Sequence, residues 1–254
     1  MTQFESLLGT DFDGNRTDDV DDVIYGAYDH FEHRERVPGL IALLGDTAAP
    51  DRERYLACLA LVAWGEPVGY RTVQEATLDP QATPWYDLVM DRKFSVDSSY
   101  GKFSEAAADS RELAEEKNSS AFRLETFRSL IRIADREYFE ERLGDYLEES
   151  VVRACLPEIR AVIARAMQSI EAGTRYRFDL ATQLVDLANS VVTVDEELAV
   201  DLITRILHAA PGDRAMVHAV TAVHRAKGPA GRRLAEHLST TGNERVRSLL
   251  AEPA

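Results

Sequence analysis

Between Asp11 and Asp22 the chain reads DFDGNRTDDVDD, with oxygen-bearing side chains at alternating positions. Set against a twelve-residue calcium loop, Asp11, Asp13, Asn15, Thr17, Asp19 and Asp22 take places one, three, five, seven, nine and twelve. That is the spacing at which hard oxygen ligands surround Ca²⁺. Three residues oppose this chemistry. Arg16 stands where the loop's sharp turn calls for Gly, Asp18 where an apolar residue is usual, and the short Asp22 where Glu is needed for bidentate ligation. A helix start explains the same stretch with fewer exceptions. Thr17 would be the N-cap, and Asp18, Asp19, Asp21 and Asp22 would lie in the first turns, where the macrodipole favours negative charge. The spacing therefore predicts a capped helix with an acidic surface, and calcium is the weaker alternative.

Other chemical groupings are sparse. His30 and His33 stand i, i+3 near Asp29 and Glu32, the beginning of a metal site without a third ligand. They read as a charged helix surface. Cys58 and Cys155 lie in apolar helical patterns, which implies packed, reduced thiols and a cytoplasmic setting, with no disulfide or cysteine–zinc framework. Arg225, Lys227, Arg232, Arg233, Arg245 and Arg247 surround a helix start at KGPAG. Free backbone N–H groups with arginines suit an anion, and a charged terminal repeat is the simpler account. The chain contains no GxSxG, Walker, GxGxxG or HExxH pattern. We assign no catalytic residue, no cofactor and no small-molecule substrate.

Helices must position these groups. Val20, Val23, Ile24, Ala27, Tyr28 and Phe31 recur at helical spacing, predicting one amphipathic helix with a continuous apolar stripe. Helical patterns follow over 37–46 and 51–67, then near 68–78, 104–117, 119–134, 136–148, 150–172, 177–191, 195–209, 212–226, 229–238 and 242–251. Pro157 is expected to split the 150–172 pattern. The longest apolar run, Tyr55–Trp64, is too short to span a bilayer and reads as a core helix. The irregular stretch from about 79 to 103 carries Trp85, Tyr86, Phe94 and Tyr100. Loops beyond about 12–15 residues tend to be functional or disordered; the aromatics oppose disorder, and serve as partner anchors or pin the loop to the body. A short helix over TPWYDLVMD and a hairpin around SVDSSYG are expected within it.

Charge is unevenly spread. Residues 1–150 sum to −16 and residues 151–254 to +1, within a total of −15. Such a surface repels phosphate backbones and attracts basic proteins. With 25 Arg against 4 Lys, the composition has the bias of a GC-rich bacterial genome.

The segment RVPGLIALLGDTAAPDRERYLACLALVAWGEP, Arg36–Pro67, resembles a HEAT repeat. It has the early Pro38 and the Leu40, Leu43, Leu44 stripe of a first helix, then Asp46. Arg54, Ala57, Ala60, Leu61 and a terminal Gly65 follow in the second helix. Glu196–Lys227 is similar in outline, with Leu202, Ile206 and Leu207, the turn APGD, and Val217, Val220 and Val223. The resemblance implies an all-α, HEAT- or armadillo-like superhelix of antiparallel helix pairs, and a single elongated domain over 1–254 interrupted at 79–103. It also implies binding of other macromolecules.

Three functions follow as expectations. The leading one is a non-catalytic interaction protein whose acidic N-terminal half docks a basic partner through Asp18, Asp19, Asp21, Asp22 and the 79–103 aromatics. An immunity- or antitoxin-type protein, a regulator or a scaffold would fit. The alternatives are a HEAT-like DNA glycosylase using Trp85 and Asp87, and a calcium-responsive module. Nucleic acid and membrane are disfavoured as partners.

Overall fold

A computed structural model describes residues 2–252. They form fourteen α-helices and three short 3₁₀ turns. No strand occurs among the described residues, and an isolated antiparallel bridge, Thr10 to Arg16, closes one turn. The helices are α1 (Gln3–Leu7), α2 (Val20–Gly26), α3 (His33–Gly45), α4 (Asp51–Ala63), α5 (Pro67–Ala76), α6 (Ser99–Asp109), α7 (Arg111–Glu116) and α8 (Ser120–Ile133). They continue as α9 (Glu149–Glu171), α10 (Leu180–Ser190), α11 (Glu196–Ala209), α12 (Asp213–Arg225), α13 (Pro229–Thr241) and α14 (Glu244–Leu250). No helix of the described residues is long and apolar enough to cross a membrane.

The backbone divides into two compact units. The first comprises residues through Met90 together with Lys102–Leu130, and the second comprises Asp91–Gly101 together with Ile131 onward. In the first, α4 is the central element and is buried continuously from Tyr55 to Ala63. Its Ala- and Leu-rich sequence presents apolar atoms all round, so it takes neighbours on several sides, α2, α3 and α5 among them. The chain leaves α4 through Gly65 at φ +73, where the Glu66 and Gly65 N–H groups donate to the Leu61 and Val62 carbonyls. A Cβ at Gly65 would also approach the backbone of Ala114 too closely, so glycine is required twice over. Across the α3–α4 turn, Arg54 Nε donates to the Leu44 carbonyl at 3.2 Å, and Asp46 accepts from Ala48 N at 2.9 Å.

In the second unit α10 plays the central role. Every residue from Thr182 to Ser190 is buried, and α9, α11 and α12 pack around it. α13 and α14 extend the packing from α11 and α12.

Five expected elements differ, one of them the 104–117 pattern, which is two helices, α6 and α7, parted at Ser110. The stripe from Val20 to Phe31 is not one helix, because α2 ends at Gly26 and turns link it to α3. Pro157 does not split α9, which runs unbroken for 23 residues. Pro157 and Arg153 are both exposed, so the carbonyl freed by the proline can face water and the helix continues past it. The 136–148 pattern is not a helix. It holds one 3₁₀ turn at Gly144–Tyr146 and two consecutive residues at positive φ, Glu140 and Glu141. The 79–103 stretch has a 3₁₀ turn at Pro80–Ala82 and a tight turn over 91–96 in place of the expected helix and hairpin, and α6 begins inside it.

Candidate functional site

The acidic stretch is locally well satisfied. Asp11 Oδ1 accepts from Asp13 N at 3.0 Å and Asn15 N at 2.7 Å, and Oδ2 accepts from Asn15 Nδ2 at 3.1 Å. These donors hold the Asp11 carboxyl below its usual range. Arg36 fixes the loop from beneath. Its guanidinium donates to the carbonyls of Leu7, Thr10 and Asp11 and stacks on Phe12 at 4.4 Å. The N-cap of α2 is Asp19, which accepts from Asp21 N at 3.0 Å. The expected cap, Thr17, instead accepts from Asp19 N at 3.1 Å. Asp11 and Asn15 are thus bonded to each other and Asp19 to its own helix, while Asp13 and Asp22 are exposed. Among the described residues no three His, Cys, Asp or Glu side chains gather as metal ligands.

The early end of α2 shapes the surface beside it. Tyr28 and Phe31, which a longer helix would have turned inward, are exposed, Phe31 to 72%. Asp18, Asp19, Asp21 and Asp22 are exposed with them. Partial enclosure of its carboxyl first, then Asp19, Glu105 and Asp22, push Asp21 up, with Lys102 opposing. The phenols of Tyr25 and Tyr28 are raised by burial and by neighbouring acids that include Asp109. Carboxylates from α2, α6 and α7 therefore crowd one aromatic-bearing face of the first unit. Among the described residues, the exposed large apolar side chains all belong to this unit, Ile41, Leu78 and Phe122 among them.

The 79–103 aromatics do not form one surface. Trp85 is 4% exposed, enclosed with Tyr55 and Phe103 in the first unit. Tyr100 is buried in the second. Both are interior side chains and offer no face to a partner, because an indole or phenol ring gains more by packing than by exposure. The same enclosure leaves Trp85 no face for a flipped base, while Asp87 is exposed. Tyr86 and Phe94 are half-buried. His33 is also interior rather than part of a surface pair. Its Nδ1 meets the His30 carbonyl at 2.7 Å, its Nε2 lies 3.2 Å from Lys117 Nζ, and its ring packs on Trp64.

The second unit holds a site the sequence did not announce. Glu140 and Glu141 adopt φ of +56 and +59, a conformation costing about 1–3 kcal/mol per non-glycine residue. It turns the Glu141 side chain inward, to 1% exposure. Both Nε and Nη2 of Arg214 donate to Glu141 Oε2, the former at 2.7 Å. Lys93 Nζ lies 3.8 Å from Oε1, which has no hydrogen-bond partner. Burial, with Asp179 and Asp91 nearby, pushes the Glu141 carboxyl up, while the two Arg214 hydrogen bonds favour its ionised form. His218 Nε2 is 3.8 Å from Oε2, and burial and Arg214 lower the ring's pKa, so it is neutral at pH 7. Phe94, Tyr138 and Phe178 stand in series, with centroids 5.4 and 5.3 Å apart. A groove of about 530 Å³, lined by Asp213, Arg214, Val217, His218, Asn243 and Arg245, adjoins two of these residues.

Helix α10 carries polar residues at i, i+3 and i+6, of which the first two hold the irregular segment in place and the third reaches α12. Gln183 accepts from Phe139 N at 2.7 Å and donates to the carbonyls of Ala134 and Glu137. Asp186 accepts from Gly144 N at 2.7 Å, and Asn189 donates to the His218 carbonyl at 2.9 Å. Asp186 is fully enclosed, and burial raises its pKa well above the carboxylate norm. A raised folded-state value means that wild-type stability falls as pH climbs through that value, while asparagine does not titrate. Asp186→Asn, which keeps the Gly144 hydrogen bond, is expected to stabilise the protein by about 1–3 kcal/mol at pH 8. The gain should shrink toward pH 5, as thermal melts across that range will register.

At the C-terminal cluster the anion is the chain's own. Glu196 accepts from Lys227 N, Gly228 N and Gly231 N at the start of α13, which lowers its pKa. Cys58 and Cys155 are buried free thiols, and burial drives the Cys58 thiol upward. Comparison with known proteins returned no matching family model, no matching curated protein and no matching solved structure.

Proposed function

We propose that this chain is a non-catalytic docking protein, a HEAT-like α-solenoid whose acidic first unit binds a basic protein partner. One observation carries the reading. Asp19, Asp22 and Glu105, the last paired with Lys102 at 3.0 Å, all lie near Asp21 in the unit that exposes Tyr28 and Phe31. Crowded carboxylates repel in the free protein, and a cationic surface laid over them removes that repulsion while covering the rings. The first unit carries −12 and the second −3, so the field that would steer such a partner originates in the first. The solenoid reading is supported by the consecutive packing of α3, α4 and α5 and by Asp46 and Arg54 bonded at the α3–α4 turn. A partner with a cationic nucleic-acid-binding face, of the kind an immunity-type protein covers, fits this chemistry.

The test is affinity capture from the source cell with three baits: wild type, the variant with Asp18, Asp19, Asp21 and Asp22 changed to Asn, and Phe31→Ser. The expected result is one basic protein held by wild type. Its affinity should fall steeply with salt and weaken at least about tenfold in both variants. Equal retention by all three baits, at unchanged helicity, would overturn the assignment.

A further inference from the structure

We propose that the pocket at Glu141 in the second unit binds a small organic cation, an ammonium or guanidinium group, which displaces Lys93. The starting point is Glu141 Oε1, a buried carboxylate oxygen without a hydrogen bond. Lys93 Nζ, 3.8 Å from it, is beyond hydrogen-bonding distance. A buried acceptor left in this condition is costly, and it sits on backbone held at positive φ for two successive residues. Strain and an unmet acceptor at one residue mark a place shaped for something besides packing.

The surroundings state what would fit. Lys93 Nζ lies over the Phe94 ring at 4.7 Å, and Tyr138 and Phe178 continue the aromatic wall. Asp91 and Asp179 add negative charge to that of Glu141. Asp91 Oδ2 accepts from the N–H groups of Lys93 and Phe94, and Asp179 accepts from Thr182 N and Oγ1. They act through their field and not as ligands, and no three acids among the described residues converge on a metal position. The geometry thus favours an organic cation with a π-stacking face over an inorganic ion.

The two resident cations differ in how firmly they are held. Arg214 makes two hydrogen bonds to Oε2. Lys93 reaches Oε1 with a half-exposed side chain from the turn over 91–96. Lys93 can swing into water, and a ligand cation then takes its place over Phe94 with a direct bond to Oε1.

Calorimetric titration of the full chain with agmatine (guanidinium) and with cadaverine (ammonium) tests this. Lys93→Ala removes the competitor and is expected to bind at least one probe about tenfold or more tighter than wild type. Adding Glu141→Gln to that variant should abolish the heat. Lys93 is a surface side chain, so its removal leaves the fold intact and a melt confirms it. A folded Lys93→Ala variant that gives only the buffer heat with both probes at millimolar concentration overturns the proposal. So does equal binding by Lys93→Ala with and without Glu141→Gln. The first-unit docking face is untouched by either result.

Discussion

Gly144→Ala is expected to cost the second unit about 3 kcal/mol or more, on the order of 6–12 °C in Tm for a chain of this size. A Cβ built on Gly144 would overlap the carbonyl oxygen of Asp186 on α10, a backbone atom in the middle of a helix buried on all sides. Neither partner can yield cheaply. Moving the 3₁₀ turn outward breaks the Gly144 N–H bond to Asp186 and leaves a carboxyl enclosed without its donor. Moving α10 disturbs its packing against α11 and α12. The damage should reach the pocket, because Glu141 is three residues upstream on the same segment. Differential scanning calorimetry measures the loss. A midpoint within 2 °C of wild type would mean that the turn and α10 approach less tightly than described.

Trp64→Ala should be nearly as damaging, by about 3–5 kcal/mol. The indole is fully enclosed at the end of α4, packs on His33, and donates from Nε1 to the Ile24 carbonyl at 2.8 Å. That bond ties α2 to the central helix of the first unit. Because α2 carries Asp21 and Asp22 and leads into Tyr28 and Phe31, its loosening should weaken partner capture along with stability. Trp64→Phe separates the two contributions. It keeps most of the apolar burial and removes the hydrogen bond, for an expected cost of about 1–2 kcal/mol. Urea unfolding of the three proteins provides the comparison, and a Phe variant as unstable as the Ala variant would show that the bond to Ile24, not the packing, dominates.

Much of the helical layout was legible because period and punctuation agreed. Around α4 an apolar run, Pro50 before it and Gly65 after it pointed to the same boundaries that packing produced. The helices from α9 onward follow their apolar spacing closely for the same reason. The 136–148 segment carries helical spacing but is not a helix, because local preference has no view of Gln183 and Asp186. Those two side chains capture its backbone groups from more than forty residues away. The end of α2 was misread in a similar way. The apolar stripe continues through Tyr28 and Phe31, yet the chain turns after Gly26 to enter α3, and the two rings are left facing water.

The candidate sites divide along the same line. Excess acid at the N-terminal end, the helical class and the core identity of α4 follow from composition and spacing, which are properties each stretch carries wherever it lies. Trp85 and Tyr100 look alike to Phe94 in a linear reading, and only the fold sends the first two inside and sets the third beside Lys93 and Arg214. Glu141 is one of 44 acidic residues and has no local signature. Its burial, its two cationic neighbours and its unmatched oxygen come from residues 93, 141 and 214, whose encounter depends on long-range packing. Sequence alone determined the helical class, the core helix α4 and which end is acidic, because those depend on neighbours along the chain. Tertiary structure decided which charges meet out of water, because desolvation and pairing depend on neighbours in space.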